Sequence, residues 1–230
     1  MNLHPDTLPF LTELSANNNR PWFNANKPRW EAIKARFEAF TAELIDHMVP
    51  LDPSLEGLTA KGCIYRIYRD TRFSPDKTPY KTHISCFLPS GGHKNMGVPG
   101  YFFQLGADEA YGLKGLCNLG GGIFMPDADT LHAIRQEIFY CTDEFLAILD
   151  RPDYKRYFGR TFFTSKVLSR VPAGFPRDWE HADLLRYKDY CTSHTLAPRC
   201  LDSERLSDEV LRVWKASVPL NLFIQRAIGN

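Results

Sequence analysis

From Trp30 to Met48 the large apolar side chains fall at Trp30, Ile33, Phe37, Phe40, Leu44 and Met48. Steps of three and four draw one stripe down an α-helix, with Glu31, Lys34, Arg36, Glu38 and Glu43 on its other faces. Pro50 and Pro53 end it. A shorter helix precedes it on Leu8, Phe10, Leu11 and Leu14, closed by Asn17-Asn18-Asn19. Asn19 suits the N-cap of the long helix, with Pro21 early in it.

From Cys63 the period shortens to that of strands. Cys63–Tyr68, His83–Leu88, Gly100–Ala107 and Ala110–Leu119 read as four strands, the last two joined by a tight hairpin over Asp108 and Glu109. Strands in succession without helices between them predict an antiparallel sheet. Gly120-Gly121-Gly122 reads as a turn into a helix opened by Pro126 and carried by Leu131, Ile134 and Ile138. Further helix follows from Thr142 to Leu149, then a turn-rich Asp150–Gly159. Phe162–Leu168 and Tyr190–Leu196 read as strands, with a helical turn at His181–Tyr187 between them. A final helix starts at Ser207, with Leu211, Trp214 and Val218 inward and Pro219 kinking or splitting it. The expected fold is a single α+β domain over residues 1–230. A mostly antiparallel sheet packs against helices, including a long N-terminal helix and a C-terminal one.

Composition narrows the class. The chain has 230 residues, 43% hydrophobic and 13% aromatic, enough for a substantial core. A net charge of +1 disfavours nucleic acid as a partner. No apolar run approaches the ~18 residues of a membrane span. Six cysteines without C-x-x-C spacing, and no signal-like start, point to free thiols in the cytoplasm. No motif implies a cofactor, and nothing bears on oligomeric state.

Against this neutral background one stretch stands out. Between Arg66 and His83 lie Arg66, Arg69, Arg72, Lys77 and Lys81 against Asp70 and Asp76, a local excess of +3. Tyr68, Phe73 and Tyr80 are interleaved, and Pro75 and Pro79 forbid a long helix. One reading is an anion site. Arg66, Arg69, Arg72, Lys77, Tyr80 and Lys81 would hold a phosphate- or carboxylate-bearing small molecule, with Asp70 or His83 moving a proton if chemistry occurs. The other reading is structural: Asp70 and Asp76 consume the arginines in a buried ion-pair clasp of a structural or protein-interaction module. In a strand, Arg66 and Arg69 point to opposite faces, so the arginines converge only if the backbone bends near Asp70. A metal held by Asp70, Asp76 and His83 lacks the usual ligand spacing. Gly120–Gly122 lacks the Lys-Ser/Thr of a phosphate-binding loop. Lys188, flanked by Tyr187 and Tyr190, reads as a snorkelling surface cation.

These residues carry a resemblance. Arg66-x-x-Arg69-Asp70-x-Arg72-Phe73 followed by Asp76-Lys77-x-Pro79-Tyr80-Lys81 resembles the signature of the DUF2461 family of bacterial proteins. Asn17-Asn18-Asn19-Arg20-x-Trp22-Phe23, the glycine run with Pro126, Ile134-Arg135, and Gly174-Phe175-Pro176 through Lys188 are similar to further family elements, so the likeness covers nearly the whole chain. Trp179-Glu180 departs from it, where a His-Pro-like pair is expected. The resemblance implies a single domain in a bacterial, cytoplasmic setting; it leaves open whether the protein is an enzyme.

Overall fold

The computed structural model describes residues 1–92, 97–107, 116–197, 200–201 and 205–229. The N-terminal helices are α1 (Thr7–Ala16), α2 (Arg20–Ala25) and α3 (Lys27–Met48). Asn19 is an N-cap as expected, its side chain accepting from the Trp22 amide at 3.0 Å, but it caps the short separate α2 and not the long α3, which starts at Lys27. All six residues of the α3 stripe are buried. A 3-10 turn at Pro53–Leu55 and a single helical turn, α4 (Ala60–Cys63), lead toward the sheet.

Three long strands, β1 (His83–Pro89), β2 (Pro99–Gly106) and β3 (Cys117–Ile123), pair antiparallel in chain order. The outer neighbours of β3 are two short strands, β4 (Tyr190–Cys191) and β5 (His194–Thr195). One register carries through both, from Ile123↔Tyr190 to Asn118↔Thr195, so the expected Tyr190–Leu196 strand is present but interrupted at Thr192 and Ser193. The intervening helices are α5 (Ala128–Tyr140), α6 (Thr142–Asp150) and α7 (Pro152–Phe158), with a 3-10 turn at Ala182–Arg186. The last helix is α8 (Leu206–Ala227). The fold is α+β, an antiparallel sheet backed by a long helix from each end of the chain. None of the described helices is long and apolar enough to cross a membrane.

The two faces of the sheet differ. Ile84, Cys86 and Leu88, then Tyr101, Phe103 and Leu105, then Cys117, Leu119 and Ile123, are buried on the face that α3 and α8 cover. Phe37 and Phe40 of α3 meet Phe103 at ring-centroid distances of 6.1 and 5.5 Å, and Trp214 of α8 meets Tyr101 at 5.8 Å. A buried Asp52 ties these layers, accepting from Tyr101 Oη at 2.8 Å and Gln225 Nε2 at 2.9 Å. The opposite face carries His83, Ser85 and Phe87, Phe102 and Gln104, and Asn118.

Several expected elements come out differently. Gly120–Gly122 is no turn but lies within β3. A Cβ on Gly121 would lie 2.4 Å from Ser217 Oγ and 2.6 Å from Asn221 Nδ2 of α8; one on Gly120 would meet the Thr192 carbonyl oxygen at 2.0 Å. The strand stays bare so that helix and neighbouring chain can approach. Cys63–Tyr68 forms no regular strand, only isolated bridges at Ile64↔Cys86 and Tyr68↔Tyr80, whose register differs by two residues. Phe162–Leu168 likewise reduces to bridges at Phe163↔Cys191 and Val167↔Tyr187. Within Asp150–Gly159 a helix forms, because Pro152 suits its first turn and Tyr154 and Phe158 bury one turn apart. Pro219 sits inside α8 without dividing it, and Val218 is only half-buried. The Asp108–Glu109 hairpin and the Ala110–Gly115 half of the fourth expected strand lie outside the described residues.

Gly121→Ala should overpack the α8–β3 contact and cost about 1–3 kcal/mol, read as a lower urea midpoint. A midpoint equal to wild type would show that α8 can yield there.

Candidate functional site

The basic stretch folds back on itself beside the outer edge of β1. The Arg69 amide donates to the Pro79 carbonyl at 2.9 Å and the Lys81 amide to the Ile67 carbonyl at 2.7 Å. The two arms are thereby antiparallel, with residues 70–78 as the loop between them. Asn18, at the end of α1, holds the return arm: its Nδ2 donates to the Tyr80 carbonyl at 2.9 Å and its Oδ1 accepts the Tyr80 amide at 3.1 Å. The Tyr80 ring lies stacked on Phe23 of α2, centroids 4.1 Å apart. The Asn-Asn-x-x-Trp-Phe element and the Pro-Tyr-Lys element, 62 positions apart at Asn18 and Tyr80, are thus one physical unit.

A polar cleft of about 350 Å³ opens between this loop and α1, lined in part by Asn18, Arg69, Asp76, Tyr80, Lys81 and His83. Arg69 Nη1 donates to Asp76 Oδ2 and to Thr78 Oγ1. Hydrogen bonds from Arg69 and then from Thr78 hold the exposed Asp76 carboxyl at about 2. No hydrogen bond engages Arg69 Nε or Nη2 among the described residues, which leaves one edge of the fork for a further acceptor. His83 is 8% exposed, and burial first, then the charge of Lys81, draws its imidazole down to about 4. It is neutral near pH 7.

The other expected residues stay outside the lining. Asp70 and Arg72 form an exposed chelate, Nε to Oδ1 at 3.0 Å and Nη2 to Oδ2 at 2.7 Å, which holds Asp70 at about 2. Arg72 also lies over Phe73, which is 93% exposed. Lys77 Nζ donates to the Thr71 carbonyl at 2.8 Å, closing the loop on itself. Arg66 is exposed and does not line the cleft. The three arginines therefore do not converge. Nor is the clasp buried: the side chains of Arg69 and Asp76 are 26% and 56% exposed.

A larger hollow, about 480 Å³, lies on the open face of the sheet and was not anticipated from the sequence. Phe87, Phe102, Phe124 and Phe163 line it, with Gly97, Gly100 and Gly122 leaving room. Ser85 and Gln104, directly opposite each other on β1 and β2, are its polar floor. Its walls hang on Asp189, a fully buried carboxylate that accepts from the Met125 amide (2.6 Å), Ser165 amide (2.6 Å), Ser165 Oγ (2.6 Å) and Thr164 Oγ1 (2.9 Å). Burial pushes this carboxyl up, but the donors, Ser165 foremost, outweigh it and keep it below the usual range. Asp189 fastens the Phe124–Met125 turn, with Met125 at φ 53°, to the segment carrying Phe163; the two phenyl rings sit 5.8 Å apart. Lys188 stands out in the sequence as a cation between tyrosines, whereas Asp189 beside it does not. Only the apolar flanks Tyr187 and Tyr190 hinted that position 189 faces inward.

The family model described as a conserved hypothetical protein (DUF2461) matches residues 6–223. No curated protein and no solved structure matches the chain.

The unfolded imidazole of His83 takes its proton near 6.5, the folded one only near 4. The unfolded state binds more protons between those values, so stability falls as pH drops through that window, by up to about 1.4 kcal/mol per unit. Urea midpoints from pH 7 to 4 should fall less steeply in His83→Gln; parallel curves would rule the assignment out. Asp189→Asn turns an amide toward the four donors and should cost about 1–3 kcal/mol, seen as a lower melting temperature.

Proposed function

The chain belongs to the DUF2461 family, and on that premise we propose that its polar cleft binds a small molecule bearing a phosphate or carboxylate. The observation that carries this reading is the half-engaged fork of Arg69. Asp76 and Thr78 hold one terminal nitrogen, which orients the guanidinium, while Nε and Nη2 carry no hydrogen bond among the described residues and leave a two-donor edge on a residue that lines the cleft. Such an edge matches two anionic oxygens of a phosphate or carboxylate. Lys81 adds a second positive charge to the same lining, and Thr78 and Ser15 add hydroxyls. Tyr80, clamped by Asn18 and stacked on Phe23, holds the floor in place.

The proposed ligand set is narrower than the charge excess suggested. Arg69, Lys81 and Tyr80 belong to it; Arg66, Arg72 and Lys77 act outside the cleft as loop charges. Asp70 is spent on Arg72 at the surface. His83 is the neutral imidazole that lines the cleft, and the burial that lowers it to about 4 makes it a weak proton acceptor for a bound substrate. A structural role for the loop has its own observation: Arg69–Asp76, Arg72–Asp70 and Lys77–Thr71 each fasten the loop to itself. Exposed pairs of this kind contribute only about 0–1 kcal/mol each.

Inorganic phosphate should raise the melting temperature of the wild-type protein relative to chloride at equal ionic strength. Arg69→Ala combined with Lys81→Ala should weaken phosphate binding at least tenfold, whereas Arg72→Ala should leave it unchanged. Equal phosphate stabilisation in the double variant would sink the binding reading and leave the loop as a structural clasp.

A further inference from the structure

We infer that the hollow on the open face of the sheet is a second binding site, for a neutral aromatic molecule carrying one amide-like hydrogen-bonding group. Its size, about 480 Å³, lies in the range of small-molecule pockets. Four phenyl rings from four separate segments, Phe87, Phe102, Phe124 and Phe163, turn toward it, a lining suited to flat apolar rings. No charged side chain occurs among the described residues that line it. A charged ligand group would lose its water there and gain no counter-charge, so the occupant is neutral.

The polar floor specifies the rest. Ser85 and Gln104 are 9% and 8% exposed, and both border the hollow. A polar group that opens on an apolar hollow is satisfied there by water or by a ligand. Here the two stand opposite each other in the β1–β2 register. A primary amide offers both a donor and an acceptor, and the hydroxyl beside it can do either. A ligand amide, lactam or aryl N–H satisfies this pair; a hydrocarbon does not. Asp189 supports the site without touching the ligand, since it holds together the segments carrying Phe124 and Phe163. The site is separate from the polar cleft and does not depend on anion binding there.

The test uses the full chain and N-phenyl-1-naphthylamine, a neutral aromatic probe with one N–H donor whose emission rises in apolar surroundings. One probe should bind per chain. Val98→Trp, placed in the lining to fill it, should weaken binding at least tenfold. Gln104→Leu should weaken the probe roughly threefold to tenfold while leaving naphthalene, which has no donor, bound as before. The sulfonated analogue 1-anilinonaphthalene-8-sulfonate should fail to displace the probe. Should Val98→Trp not fold, the Gln104→Leu comparison decides alone. Absence of probe binding by wild type, binding indifferent to both substitutions, or displacement by the sulfonate would each overturn the proposal.

Discussion

Three bare positions in the central strand set the distances on which the structure depends. At Gly121 the side chains of Ser217 and Asn221 come in from α8, and at Gly120 and Gly122 the carbonyls of Thr192 and Tyr190 lean over the strand. Polar bonds then fill the space a side chain would have taken. Asn221 Oδ1 accepts the Gly122 amide at 3.1 Å, Thr192 Oγ1 accepts the Gly121 amide at 2.9 Å, and Trp214 Nε1 donates to the Phe102 carbonyl at 3.0 Å. Glycine is usually a weak strand former, because it loses most backbone freedom and packs nothing. Here that loss is offset by a close helix–sheet contact. The same contact fixes where β4 and β5 run, and with them Asp189 and the wall of the larger hollow.

Both hollows are held open by anchors of one type: a polar side chain that binds backbone from a distant segment. Asn18 clamps Tyr80 at both its amide and its carbonyl. Asp189 takes the amides of Met125 and Ser165. Each joins segments that no regular ladder connects, which is how irregular backbone can form a defined wall. The ion pairs of the basic loop act over a shorter range. Asp70–Arg72 and Arg69–Asp76 span two and seven positions, so they shape the loop locally and leave the fold to the core beneath.

The site was partly legible. A +3 excess in a neutral chain drew attention to the loop, and Arg66 and Arg69 come out apart although the backbone before them forms only isolated bridges. Which cation meets which carboxylate could not be read, because pairing depends on where Pro79–Lys81 returns beside Ile67–Arg69. Ser85 and Gln104 were not legible as a pair, because they face each other only once the β1–β2 register is set.

Local periodicity by itself determined α1, α3, α5, α6 and α8 and the strands β1 and β2. The α3 stripe, the cap at Asn19 and the apolar alternation of β1 and β2 each express an interaction within a few residues or a single buried face. The family signature, too, was complete in the linear chain. Tertiary structure alone decided that Gly120–Gly122 is strand and not turn, that Cys63–Tyr68 is a bridged edge and not a strand, and that Asp189 is a core anchor. In each case the deciding partner is far away in sequence: α8 across from the glycines, β1 beside Ile64, and the Met125 and Ser165 amides around Asp189. Propensity reports what a residue prefers among its neighbours in the chain. It cannot report a contact that exists only once remote segments have been packed against the same sheet.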